Sequence, residues 1–68
     1  MEQQVIKLLN DLEYPYNNLC VNYIVVKWSE EHKEQLEKDN TFTIDEEDVK
    51  IYWFEYVTLL MKLHERDK

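Results

Sequence analysis

Val21-Asn22-Tyr23-Ile24-Val25-Val26 is the stretch on which the fold turns. Its β-branched residues suit a short buried strand, and the mate such a strand would find is Thr41 to Ile44. Two lone strands joined without a glycine turn are marginal in water. As a helix, the same residues extend a stripe in which Val21, Ile24, Val25, Trp28, His32 and Leu36 recur at 3.6 periodicity as far as about Lys38. Helix is therefore the preferred reading for residues 18–38.

On the N-terminal side, Pro15 pushes the residue before it out of the α region. Glu13-Tyr14-Pro15-Tyr16 then reads as a turn, and Asn17 or Asn18 as the N-cap of the helix that follows. Before the turn, Val5, Ile6, Leu8, Leu9 and Leu12 recur at three- and four-residue steps around Glu2, Lys7 and Asp11, which predicts a helix over 2–12. On the C-terminal side, Asp39-Asn40-Thr41-Phe42 is a break in which Asn40 can take the left-handed position that glycine usually fills. Thr43-Ile44-Asp45-Glu46 has the spacing of a capping box. In the rival register Asp45 is the N-cap and Ile44 staples onto Val49.

Either register opens a helix over about 44–65, with Asp45 to Asp48 at the positive end of its dipole. Val49, Tyr52, Trp53, Tyr56, Val57, Leu59, Leu60 and Leu63 fall in one broad arc of that helix, its expected core face. Ile51, Phe54, Thr58 and Met61 fall on another side with Lys50, Lys62 and Glu65, and form a second apolar stripe. The expected fold is all-α: a small antiparallel three-helix bundle with helices at about 2–12, 18–38 and 44–65, forming a single acidic domain over 1–68.

Composition agrees. With 68 residues the chain has room for one small domain, and its 44% hydrophobic content includes five Tyr, two Trp and two Phe, too many for disorder. It has no Gly, where an average chain of this length carries about five. That absence excludes a P-loop and the dinucleotide-binding glycine turn, and leaves Asn or Asp to supply positive φ. Gly, Ala, Arg and Pro, the residues of GC-rich codons, together number two, which points to an AT-rich genome such as a low-GC bacterium, its phages or its plasmids. Met1-Glu2-Gln3-Gln4 has no basic n-region, so no signal peptide is expected. The longest apolar runs fall far short of the roughly 20 residues that span a bilayer, and a cytoplasmic location is expected. Cys20 is alone, which excludes an internal disulfide and reads as a small core residue rather than a reactive thiol.

Catalysis has little to stand on. His32 and His64 belong to no metal-ligand spacing, and Ser29, Thr41, Thr43 and Thr58 have no base placed beside them by any motif. Asp45-Glu46-Glu47-Asp48 resembles a calcium loop in charge alone, since the turn glycine and ligand spacing are missing. No enzyme activity, metal or cofactor is expected.

Charge is the more telling feature. Between Glu30 and Asp48 nine acids face two lysines, and elsewhere six acids balance six bases, so the whole net charge of −7 lies in one segment. In a helical hairpin, Glu30, Glu31, Glu34, Glu37, Asp45, Glu46, Glu47 and Asp48 would meet as an acidic pole. Such a pole repels nucleic-acid phosphates and anionic lipid, and draws in basic protein surfaces. The plainer explanation is a solvated face with helix capping. The stripe of Ile51, Phe54 and Met61 is a candidate partner-binding apolar patch, unless helix 2–12 or the Tyr14-Pro15-Tyr16 turn folds over it.

The function expected is that of a non-enzymatic acidic protein–protein interaction module, in the setting of a phage or mobile-element regulator that inhibits a host protein. In its sharpest form the carboxylates stand in for DNA phosphates on a basic nucleic-acid-binding protein. The alternative is a structural protein that forms a helical homodimer through Ile51, Phe54 and Met61.

Overall fold

The computed structural model describes residues 1–66; the last two residues of the expected 1–68 domain lie outside them. All regular structure among the described residues is helical: α1 at Glu2–Leu12, α2 at Asn18–Glu31, α3 at Lys33–Lys38 and α4 at Glu46–Arg66. The chain contains no strand among these residues, so Val21 to Val26 lie within α2.

Packing explains why a β-branched run is helical here. Cys20, Val21, Ile24 and Trp28 fall on one side of α2 and are all buried, whereas Asn22, Val26 and Lys27 are exposed. Burial of that stripe outweighs the few tenths of a kcal/mol per residue by which β-branching disfavours helix. Val5 and Leu9 of α1, Ile44 of the connecting loop, and Val49 and Tyr52 of α4 complete the buried cluster. α1, α2 and α4 pack on one another, and α3 packs on α2.

The helix ends follow local chemistry. Asn17, in extended backbone, accepts the Cys20 N–H through Oδ1 at 2.8 Å and starts α2. α1 ends in a left-handed residue, Glu13, with φ 60° and ψ 31°. The backbone N–H groups of Glu13 and Tyr14 turn back to the carbonyls of Asn10 and Leu9. Glu13 is the one residue with positive φ among the described residues, so Asn40 does not take the left-handed conformation expected of it.

The helix expected over 18–38 is two helices. At His32 the backbone leaves the helical region, with φ −113° and ψ 23°, and a new helical segment begins at Lys33. There the His32 ring stacks on Trp28 with centroids 5.0 Å apart, and Phe42 stacks on the same indole at 5.3 Å. His32 Nδ1 also lies 2.9 Å from the Trp28 carbonyl oxygen. Beyond the bend, Leu36 and Phe42 both pack against the core.

α4 begins at Glu46 rather than residue 44, in the register capped by Asp45, whose Oδ1 accepts the Asp48 N–H at 2.9 Å. Ile44 and Val49, the two ends of the staple, are both buried. The capping box based on Thr43 is not formed.

One expectation about the core fails. Leu59, Leu60 and Leu63 lie on the core-facing arc of α4 and yet are 44%, 47% and 57% exposed. α4 has 21 residues and α2 has 14, about 31 Å against 21 Å at 1.5 Å per residue. Tyr23, in the second turn of α2, already lies opposite Tyr56, with ring centroids 5.5 Å apart. Leu59 and Leu60 there border the shallow hollows lined by Tyr23 and by Pro15, Asn17 and Cys20 and stay half-exposed, in a molecule that measures 45 × 25 × 18 Å.

Candidate functional site

Two hydrogen bonds tie the end of α2 to the start of α4. The Trp28 indole N–H donates to Asp48 Oδ2 at 3.1 Å, and the Tyr52 hydroxyl donates to Glu31 Oε2. They bring Glu30 and Glu31 to the same end of the molecule as Asp45 to Asp48, and α3 carries Glu34 and Glu37 onward from there.

The eight acids of the expected pole do different things. Asp45 caps α4, Asp48 accepts the buried indole, and Glu31 accepts a phenol that is 3% exposed. Glu46 reaches Lys50 at 3.7 Å, the one ion pair among the described residues. Glu30, Glu34, Glu37 and Glu47 stand exposed. The framework roles of Glu31 and Asp48 escaped the sequence reading, because their partners lie 21 and 20 residues away along the chain.

Titration follows these surroundings. Burial pushes the Tyr52 phenol well above its ordinary value, and the bond to Glu31 and the charges of Glu31, Asp48 and Glu55 push it further. Tyr52 is thus held as a neutral donor. Burial also raises the Cys20 thiol, against the lowering effect of its backbone bond to Asn17, as befits a core residue and not a nucleophile. Asp39 is lowered by the Thr41 hydroxyl at 2.6 Å and the Thr41 N–H at 2.9 Å, in an exposed turn.

The apolar patch is exposed: Ile51 is 55%, Phe54 56% and Met61 62% accessible. The Tyr14-Pro15-Tyr16 turn does not cover it. Tyr14 packs on Trp53 at 4.4 Å, Trp53 donates its indole N–H to the Pro15 carbonyl at 2.9 Å, and Phe54 meets Tyr14 and Trp53 edge-to-face at 6.3 and 5.3 Å. Nor do the three residues share one hollow. Ile51 and Phe54 border a groove between α2 and α4 with Tyr23, Lys27 and Glu31. Met61 borders another with Val57, Leu60 and His64.

His32 is half-buried in its aromatic stack and His64 is exposed on the last turns of α4. No group of three or more His, Cys, Asp or Glu side chains among the described residues is arranged to hold a metal ion. No helix described is long and apolar enough to cross a membrane. Compared with known proteins, the chain matches no family model, no curated protein and no solved structure.

Proposed function

We propose that the protein is a non-enzymatic interaction module that docks a basic protein surface on its acidic end. The observation that carries this reading is the set of exposed carboxylates, Glu30, Glu34, Glu37 and Glu47, on the helices joined by the Trp28–Asp48 and Tyr52–Glu31 bonds, with Glu31 itself bordering the Ile51 and Phe54 groove. Clustered charge of one sign accelerates encounter with the opposite sign, and an adjoining apolar groove supplies area to bury once contact is made. The course of the chain supports the placement: Trp28 pairs with Asp48 and Tyr23 with Tyr56, as in antiparallel α2 and α4. The finer form of the proposal is a cytoplasmic regulator of a phage or mobile element that inhibits a host protein, mimicking DNA rather than binding it.

The test uses tagged protein against a nuclease-treated lysate of a low-GC bacterium, with a second bait carrying Glu34→Lys, Glu37→Lys and Glu47→Lys. These changes leave the Asp45, Asp48 and Glu31 bonds in place. A basic prey released by moderate salt, displaced by duplex DNA and lost with the altered bait is the expected result. Prey held equally by both baits sinks the reading. Phe54→Ala is expected to weaken capture less than the charge reversals.

A second reading, a structural protein that pairs with itself, is favoured by the large apolar residues left exposed along α4.

A further inference from the structure

The seam between α2 and α4 has two sides. α1 packs on both helices from one side, over the buried cluster, and on the other side lies the groove, lined by residues of α2 and α4. Ile51, Phe54 and Leu59 give that groove an apolar floor and remain half-exposed. A furrow between two packed helices is the place where a bundle seats a further helix. From Ile51 to Lys62 it extends about 16 Å at 1.5 Å per residue, which matches three turns of an occupying helix.

Charge gives the occupant its chemistry, because the two ends of the groove differ in sign. At one end Glu31 and Glu55 border it, and both act with Asp48 on the Tyr52 hydroxyl, which places the three carboxylates together. At the other end the Lys27 ammonium lies 5.9 Å from the centre of the Tyr23 ring, which in turn meets Tyr56. Lys62 borders the groove about 9 Å beyond Tyr56 along α4. Lys27 stands four residues from Glu31, a spacing that suits an ion pair, yet it turns to Tyr23 and forms no ion pair among the described residues. Both lysines and both glutamates are exposed and free to meet a partner.

We propose that the groove takes a helix of a partner protein, apolar at i, i+3, i+4 and i+7, with basic residues in the turn that meets Glu31 and Glu55 and acidic residues in the turn that meets Lys27 and Lys62. This deepens the docking of a basic surface and rests on it for the basic turn; the acidic turn is the addition. A helix's own dipole favours acids in its first turn and bases in its last. That order fits the groove when the occupant runs from the lysine end to the carboxylate end. A uniformly basic helix has nothing to hold at Lys27 and Lys62, so charge complementarity selects the bipolar one.

Two synthetic peptides of about three turns, with the same leucine stripe, test the proposal against isotope-labelled protein followed by amide chemical shifts at low salt. The bipolar peptide has glutamates in its first turn and lysines in its last; the basic peptide has lysines in both. The bipolar peptide is expected to shift Tyr23, Phe54 and Thr58, and to bind wild type roughly tenfold more tightly than the basic peptide does. In a Lys27→Glu, Lys62→Glu variant the order of the two peptides should reverse. Both lysines are exposed, so the variant should retain the near-ultraviolet circular dichroism of buried Trp28. A basic peptide that binds wild type as tightly as the bipolar one overturns the inference and leaves the docking of a basic surface standing. Binding by neither peptide, or shifts that fall outside the groove, overturns it too. Shifts of the groove residues on dilution of the protein alone would give the groove to a second copy and equally overturn it. The parent reading fails by a different result, prey held equally by the Glu34, Glu37 and Glu47 bait, since those three carboxylates do not border the groove.

Discussion

Tyr52 shows how one side chain can serve both the core and the acidic end. Its ring is buried and its hydroxyl donates to Glu31, an exposed carboxylate that gains a fixed partner without being desolvated. Tyr52→Phe keeps the ring and removes the bond; because Glu31 can turn to water instead, the expected loss is about 1 to 1.5 kcal/mol, read from urea unfolding. The pH dependence has a definite sign. The phenol titrates higher in the folded than in the unfolded chain, so its contribution is complete below the ordinary value of 10.0 and falls away as pH rises past it. Wild type should therefore lose more stability above about pH 10 than Tyr52→Phe does. Equal alkaline loss in both proteins would contradict the assignment. Glu13 is a second case of local need deciding a residue's conformation. Pro15 commits Tyr14 to extended backbone, so the chain must reverse one residue earlier, at a position where no glycine is present. Asn40, the chemically better left-handed residue, sits where no reversal of that kind is required.

The elements were largely legible where a stripe alone decides them. Val5, Leu9, Val21, Ile24, Trp28, Val49 and Tyr52 are periodic in sequence and buried in the structure, because helical burial needs nothing beyond that spacing. The bend at His32 was not legible, since neither Gly nor Pro marks it and the stack it sits in brings Phe42, ten residues on, over Trp28. That bend lies where the end of α2 meets the start of α4, whereas the exposed leucines lie toward the other end of α4, beyond the Tyr23–Tyr56 contact, so the two misses have separate causes. The charged end was legible in part. Exposure of Glu34, Glu37 and Glu47 follows from the cost of burying a charge, but the bonds of Glu31 and Asp48 depend on how helices meet. At the start of α4 two cap registers were open, and the structure selects one. Asp45→Ala should cost about 1 kcal/mol of stability, and Thr43→Ala a few tenths at most, in parallel denaturant titrations. The reverse order would restore the capping box.

At the scale of the whole molecule, charge and apolar surface occupy different ends of α4. The first turn, Glu46 to Asp48, and the half-exposed leucines from Leu59 on are about 20 Å apart at 1.5 Å per residue. That exceeds the Debye length of about 8 Å at physiological salt, so changes at one end should leave the other undisturbed. Self-repulsion at the acidic end should instead be felt as stability. Glu30, Glu34, Glu37 and Glu47 crowd one end with no ion pair among the described residues, while the net charge is −7. Raising salt from about 0.01 M to 0.15 M shrinks the Debye length from about 30 Å to 8 Å and screens that repulsion. The melting temperature should rise by several degrees, since about 1 kcal/mol shifts a domain of this size by roughly 4 to 8 °C. A Glu34→Gln, Glu37→Gln, Glu47→Gln variant, which keeps every framework carboxylate, should start higher at low salt and respond less. Measured at one protein concentration, so that any self-association is held constant, equal salt responses in the two proteins would mean that the exposed acids do not strain the fold. Their clustering would then have no energetic consequence for the isolated chain, and a smaller response in the variant would instead show repulsion that a basic partner could relieve.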